Sequence, residues 1–154
     1  MIRFYGLEWD SHMFSGTDTF PITTSVTSDG HLAIGGCDLT DLVSEYGSPL
    51  YVYDEATIRQ TARDFLSSFR GAYQDSHVSY SSKAFSNPAL IKILDAEGIG
   101  IDVVSGGELA VAKAVGFPAS RMNFNGNNKD RQELSEAVEY GLSKITIDGF
   151  PEID

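Results

Sequence analysis

A lysine, Lys83, closes the short apolar and aromatic segment Tyr80–Ala84, and a helix start is predicted soon after it at Asn87–Pro88. This pattern places an amine at the end of a buried strand, with small neighbours that leave room for a flat ligand. A partly desolvated amine is partly neutral, so it can attack an aldehyde. The alternative is a lysine that extends to solvent at a strand end, as long charged side chains commonly do. Position alone leaves both interpretations open.

Two acidic residues are expected near the same edge. Asp102 lies in the apolar strand Ile101–Val104, where it either faces a ligand at the strand end or accepts backbone donors. Glu108 stands three residues after Ser105, which is the spacing of a helix capping box, and that role accounts for it without catalysis. Lys129 precedes a predicted helix and is expected to be a solvated side chain.

Composition restricts the partners and the compartment. The 154 residues carry a net charge of −11, which disfavours binding to nucleic acid or to an anionic membrane. No apolar run is long enough to span a bilayer. The single cysteine, Cys37, is expected to be a small packed residue and favours a reducing, cytoplasmic location. The histidines show no metal-ligand spacing, so no metal site is expected.

Apolar segments alternate with amphipathic helices along most of the chain. A first short strand is predicted at His31–Gly36, and a brief helix with an Asp38 cap follows it. After Pro49 come five predicted strands, each except the last followed by a helix that ends at a glycine. These strands are 50–53, 78–80, 101–104, 122–124 and 145–148.

Strands and helices that alternate in this way are typical of βα units with a parallel sheet. Two architectures share the pattern: an open doubly wound sheet and a (β/α)8 barrel. No GxGxxG follows the first strand, which disfavours the dinucleotide-binding sheet. The sequence stops at Asp154, just after a predicted strand with no covering helix, so a barrel cut part-way is expected. In either architecture ligands gather at the carboxyl ends of the strands.

Three segments resemble diaminopimelate decarboxylases in both order and spacing: Tyr80–Ala84, Gly100–Leu109 and Asn125–Lys129. The upstream segment Tyr46–Asp54 is similar to the one that opens the barrel of these enzymes. The likeness extends from about Gly30 to the end of the sequence.

The resemblance implies an α/β fold in which a partial (β/α)8 TIM-type barrel of about five βα strands follows a short β segment of a second domain. Residues 1–36 would be a strand of an absent β-domain. Residues 37–154 would be the N-terminal portion of the cofactor-binding barrel. The family's proteins are more than twice as long, so a fragment that is inactive alone is expected.

The resemblance also implies the chemistry, which is decarboxylation of meso-diaminopimelate to L-lysine with pyridoxal 5′-phosphate. Lys83 would hold this cofactor as a Schiff base and act in catalysis, while Asp102 and Glu108 would lie in the cofactor-binding site. The full-length parent would be a homodimer. Many relatives have histidine where Asn125 stands and serine or a similar residue where Asp130 stands. Two alternatives remain: a decarboxylase of ornithine, arginine or a related amino acid, or a non-catalytic five-stranded α/β binding module.

Overall fold

The computed structural model describes residues 19–153, which divide into two compact units after Gln60. The strands are β1 (Ser25–Val26), β2 (Leu32–Ile34), β3 (Cys37–Asp38), β4 (Ser79–Ser81), β5 (Gly100–Val103), β6 (Met122–Phe124) and β7 (Lys144–Ile145). The helices are α1 (Leu39–Tyr46), α2 (Glu55–Ala72), α3 (Pro88–Ala96), α4 (Gly106–Ala114) and α5 (Arg131–Tyr140). Short 3₁₀ turns occur at Ser82–Ala84, Ala119–Arg121 and Phe150–Glu152.

The first unit contains a small antiparallel sheet in the order β1–β2–β3. Helix α1 begins directly after β3, and the carboxylate of Asp38 accepts a hydrogen bond from the Thr40 backbone N–H at 2.8 Å. His31 Nδ1 lies 2.8 Å from the same carboxylate. The Thr40 hydroxyl, with help from His31, lowers the pKa of Asp38 to about 2. Asp38 therefore joins the sheet to the start of the helix.

The second unit contains four parallel strands whose spatial order, β4–β5–β6–β7, follows the chain. Helices α3, α4 and α5 connect consecutive strands, as right-handed βα units do. Ser81, Asp102, Asn123 and Lys144 form one row across the sheet. All four strands thus end at a common edge, here called the carboxyl edge.

The two faces of this sheet differ because successive side chains of a strand point to opposite sides. On one face Ile101, Val103, Met122 and Phe124 are fully buried. They form the core with apolar residues of the helices: Leu90, Ile91, Leu94, Leu109, Ala112 and Ala137. The opposite face carries polar residues, among them Asp102 and Asn123. The sheet is therefore apolar towards its core and polar on the face that a barrel would enclose.

Most predicted elements are confirmed, with ends that shift by a few residues, but the strand predicted at 50–53 is wrong. This segment has no strand structure, and Tyr51 is 86% exposed. Its apolar run matches a buried strand, yet no other strand pairs with it within residues 19–153. The parallel sheet therefore has four strands in the described part of the chain, not the expected five.

The prediction that Cys37 is a packed residue is also wrong, because its side chain is exposed. Cys37 lies in β3, which pairs with a neighbour on one side only and follows the turn at Gly35–Gly36. The expectation of a β-domain strand falls largely on residues 1–18, which lie outside the described residues. No helix within 19–153 combines the length and the apolar character needed to cross a membrane.

Candidate functional site

Lys83 follows β4 at the carboxyl edge, in the 3₁₀ turn Ser82–Ala84. Its side chain is exposed, and among residues 19–153 its ammonium has no hydrogen-bond or ion-pair partner. The partial desolvation expected from the sequence is therefore not provided by these residues. What they do provide is a primary amine that a ligand can reach.

The residue beside Lys83 is held firmly. The Ser82 side chain is fully buried, and its hydroxyl donates to the Asp102 carbonyl oxygen at 2.8 Å. The same hydroxyl contacts the Glu108 carboxylate, which also accepts the Val104 backbone N–H at 3.0 Å. One carboxylate of α4 thus joins the ends of β4 and β5, and it fixes the backbone from which Lys83 projects.

This geometry refines the capping box expected at Ser105. The Ser105 hydroxyl caps α4 by accepting the Glu108 backbone N–H at 3.3 Å. The Glu108 carboxylate, however, bonds to Val104 N–H, one residue before the cap. The Glu108 carboxylate therefore forms its contacts at the ends of β4 and β5, a role that the sequence pattern did not predict.

Asp102 is half-buried on the polar face of β5, and its carboxylate accepts the side-chain amide of Asn123 at 2.8 Å. Asn123 occupies the matching register position on β6. Sequence analysis missed Asn123, although a polar residue between two buried ones in Met122–Phe124 was a usable signal. Asp102 therefore bonds to a side chain here, rather than to the backbone donors considered above.

A second glutamate joins the next pair of loops and was also missed. The Glu133 carboxylate accepts the Gly106 backbone N–H at 2.6 Å and the Asp130 backbone N–H at 3.0 Å. The Asp130 carboxylate in turn accepts the Glu133 backbone N–H at 2.8 Å, which completes a capping box on α5. Asp130 therefore caps the start of α5.

The prediction that Lys129 is solvated is wrong, because its side chain is 0% exposed. Its ammonium lies 3.0 Å from Glu152 Oε2 and donates to the Gly126 carbonyl oxygen. A lysine at a helix start usually reaches water, but here the turn after β7 covers it and supplies the counter-charge.

The carboxyl edge thus presents an exposed amine, a carboxylate paired with an amide, and loops held by half-buried glutamates. Among the described residues, no three His, Cys, Asp or Glu side chains form a group that could hold a metal ion. Residues 55–154 match the family described as "Pyridoxal-dependent decarboxylase, pyridoxal binding domain". The chain belongs to this family.

Curated relatives within the decarboxylase family are similar over most of the chain. A diaminopimelate decarboxylase of Bacillus subtilis is 50% identical over 131 residues, which is 85% of this chain and 30% of the relative. One of Bacillus methanolicus is 48% identical over 132 residues, 86% of this chain and 31% of the relative. The chain therefore spans about 30% of the length of these relatives.

A solved structure has the same fold over the matched residues. Diaminopimelate decarboxylase from M. jannaschii, in a co-complex with L-lysine, superposes with a TM-score of 0.75 and 31% identity. The match covers 86% of this chain and 31% of the solved chain. The partial (β/α)8 barrel with a separate β segment, expected from the sequence, is confirmed.

The donor set at the carboxyl edge fits the cofactor that the decarboxylase family is described as binding. Pyridoxal phosphate needs a reachable primary amine for its aldehyde, which Lys83 offers, and polar groups that fix the ring. The paired side chains of Asp102 and Asn123 lie one strand and two strands from β4 on the polar face. The three residues expected in the site, Lys83, Asp102 and Glu108, all lie on β4, β5 or the segments that directly follow them.

Proposed function

We propose that this chain forms the cofactor-binding part of a pyridoxal 5′-phosphate-dependent enzyme that decarboxylates meso-diaminopimelate to L-lysine. One observation carries the proposal: the exposed Lys83 amine at the carboxyl edge, whose supporting turn is fixed by buried Ser82. Lys83 would be the catalytic residue, because its exposed amine at the carboxyl edge would hold the cofactor covalently. Bound pyridoxal phosphate supplies the electron sink for loss of CO₂.

The other two residues support Lys83 in different ways. Asp102 would bind the cofactor from the polar face of β5. The side-chain amide of Asn123 donates to its carboxylate and holds it in place. Glu108 belongs to the cofactor site and acts through its neighbours, since its carboxylate is committed to Ser82 and the Val104 N–H. Loss of Glu108 should therefore disturb the position of Lys83 more than the charge around the ring.

The substrate part of the proposal is supported by the relatives. Those at 48% and 50% identity are named diaminopimelate decarboxylases, and the solved relative was crystallised with L-lysine. A homodimeric, cytoplasmic parent protein is part of the same proposal. So is the division of the chain into a β-domain strand at residues 1–36 and a barrel portion at 37–154.

A trapping competition tests the function. The chain is incubated with pyridoxal phosphate and borohydride, and the yield of label on Lys83 is measured with meso-diaminopimelate or L-ornithine present. Any amine captures some cofactor in solution, so only the difference between the two amino acids reports selection by the protein. We expect meso-diaminopimelate to reduce the label on Lys83 at a lower concentration than L-ornithine does. Equal competition, or stronger competition by ornithine, would contradict the proposed substrate.

A further inference from the structure

Lys129 is a buried cation with no place in the chemistry proposed above. Its side chain is 0% exposed, and its ammonium contacts Glu152 Oε2 at 3.0 Å and the Gly126 carbonyl oxygen. A buried ammonium is tolerated only when a counter-charge and hydrogen bonds replace its lost hydration. The contacts of Lys129 are therefore a specific part of the structure of the carboxyl edge, not a chance placement of the side chain.

Glu152 connects the pair to the last strand. Its carboxylate also accepts the Asp148 backbone N–H at 3.0 Å, and this bond, followed by the one from Lys129, lowers the pKa of Glu152. Asp148 lies just beyond β7, whereas Lys129 lies in the loop after β6. The ion pair therefore ties two neighbouring loops of the same edge together.

The far side of the Lys129 loop is held by β5. The Asn125 backbone N–H donates to the Val103 carbonyl oxygen at 2.8 Å. At Gly126 a Cβ atom would lie 3.0 Å from the Val104 carbonyl oxygen, so glycine permits a close backbone approach. Residues 125–128, here called the asparagine loop, are thus clamped between the end of β5 and the buried ammonium.

The asparagine loop presents polar side chains to the outside. Asn125, Asn127 and Asn128 are all exposed, and each carries an amide with both donors and an acceptor. A clamped backbone with exposed amides loses little conformational freedom when a ligand binds, so its hydrogen bonds retain more of their value.

We propose that Lys129 is a positioning residue: by holding the Gly126 carbonyl it keeps the asparagine loop preformed to bind the polar groups of pyridoxal phosphate. The inference rests on the proposed function, because it assumes that this cofactor binds at the carboxyl edge. Lys129 itself does not touch the ligand. It acts through the backbone of the loop that its ammonium holds.

A double variant separates this role from simple stabilisation. Replacement of a buried ion pair by apolar residues is often neutral or stabilising, so Lys129→Met with Glu152→Met should remain folded. Its urea midpoint should fall only by the cost of the hydrogen bonds lost at the Gly126 carbonyl and the Asp148 N–H. The Gly126 carbonyl then lacks its donor and the loop is released. We expect the half-saturating pyridoxal phosphate concentration for Lys83 labelling to rise about tenfold, roughly the loss of one hydrogen bond to a charged group.

An unchanged half-saturating concentration in a folded double variant would overturn the inference. If the double variant fails to fold, Asn127→Ala with Asn128→Ala tests the loop while the ion pair stays intact. The same rise is expected there, and no rise would again overturn the inference. If the unmodified chain shows no specific label on Lys83, the proposed function itself fails, which is a separate and recognisable result.

Discussion

The buried hydroxyl of Ser82 lies against the carboxylate of Glu108, 26 residues further along the chain. The contact joins the turn that carries Lys83 to the helix after β5. Because the same carboxylate accepts the Val104 N–H, it contacts one backbone donor and one buried hydroxyl at once. The position of the Lys83 backbone thus depends on a residue of a different βα unit.

Glu108→Ala should destabilise the chain and weaken labelling of Lys83. Without the carboxylate, the Val104 N–H loses its acceptor, whereas the Ser82 hydroxyl keeps the Asp102 carbonyl oxygen. An unsatisfied buried group costs about 1–3 kcal/mol. The free energy of unfolding, measured by urea titration, should fall by an amount of this order. Glu108→Gln retains an acceptor oxygen, so its free energy of unfolding should lie between those of the unmodified chain and Glu108→Ala.

Glu139→Ala is the matched control, because Glu139 is an exposed glutamate on α5 whose carboxylate meets only Ser135 at 3.4 Å among the described residues. An exposed change of this kind usually stays within about 0.5 kcal/mol. Equal effects of Glu108→Ala and Glu139→Ala would show that the Ser82 contact contributes nothing measurable.

Two glycines should respond to alanine with opposite signs. At Gly100, in buried β5, a Cβ atom would lie 2.9 Å from both the Arg121 carbonyl oxygen and the Ser79 hydroxyl, so the backbone must shift. At Gly71, inside α2, nothing lies within 4 Å of the added Cβ. We expect Gly100→Ala to destabilise by about 1–3 kcal/mol and Gly71→Ala to stabilise by about 0.5–1 kcal/mol, as helix propensity favours alanine. Urea midpoints of the two variants check the difference, and a stable Gly100→Ala would refute the close approach.

The stability of the first unit should depend on pH through Asp38. The folded state lowers the pKa of Asp38 from 3.8 to about 2, so this carboxylate stabilises the fold above the ordinary pKa. Its contribution is lost as the pH falls from 3.8 towards about 2. Asp38→Asn keeps a capping oxygen for α1 but does not titrate, so it should remove this part of the pH dependence.

Amide exchange of the α1 residues, corrected for intrinsic rates, measures the effect across that window. Asp41→Asn is the control, since Asp41 is an exposed aspartate in the first turn of the same helix. If the wild-type chain and Asp38→Asn lose protection in parallel, the assignment to Asp38 is wrong.

The order of elements in the parallel sheet could be predicted because each strand and helix has a local signature. Asn87, Ser105 and Asp130 cap their helices as their types and positions suggest. The prediction for segment 50–53 failed because an apolar run indicates a buried strand without specifying a pairing partner, and no strand of residues 19–153 pairs with this segment. No sequence period reports whether such a partner is present.

The candidate site also contains features with a local sequence signature and features that depend on distant contacts. Lys83, Asp102 and Glu108 were predicted as site residues because the resemblance to a known family lies in those segments, and their roles at a cofactor stay a prediction. The burial of Lys129 was missed because it depends on Glu152, whose own position follows from the turn after β7. Contacts between residues of different βα units decide burial, and they leave no mark on the local pattern around either residue.

The most direct test of the account is the site of covalent attachment. The chain, Lys83→Ala and Lys92→Ala are treated with pyridoxal phosphate and borohydride, and the labelled peptides are identified by mass spectrometry. Lys92 is an exposed lysine on α3 and reports non-specific reaction. The account predicts that label concentrates on Lys83 in the unmodified chain and in Lys92→Ala, and that Lys83→Ala loses it. Label spread evenly over the exposed lysines, with no loss in Lys83→Ala, would contradict the account.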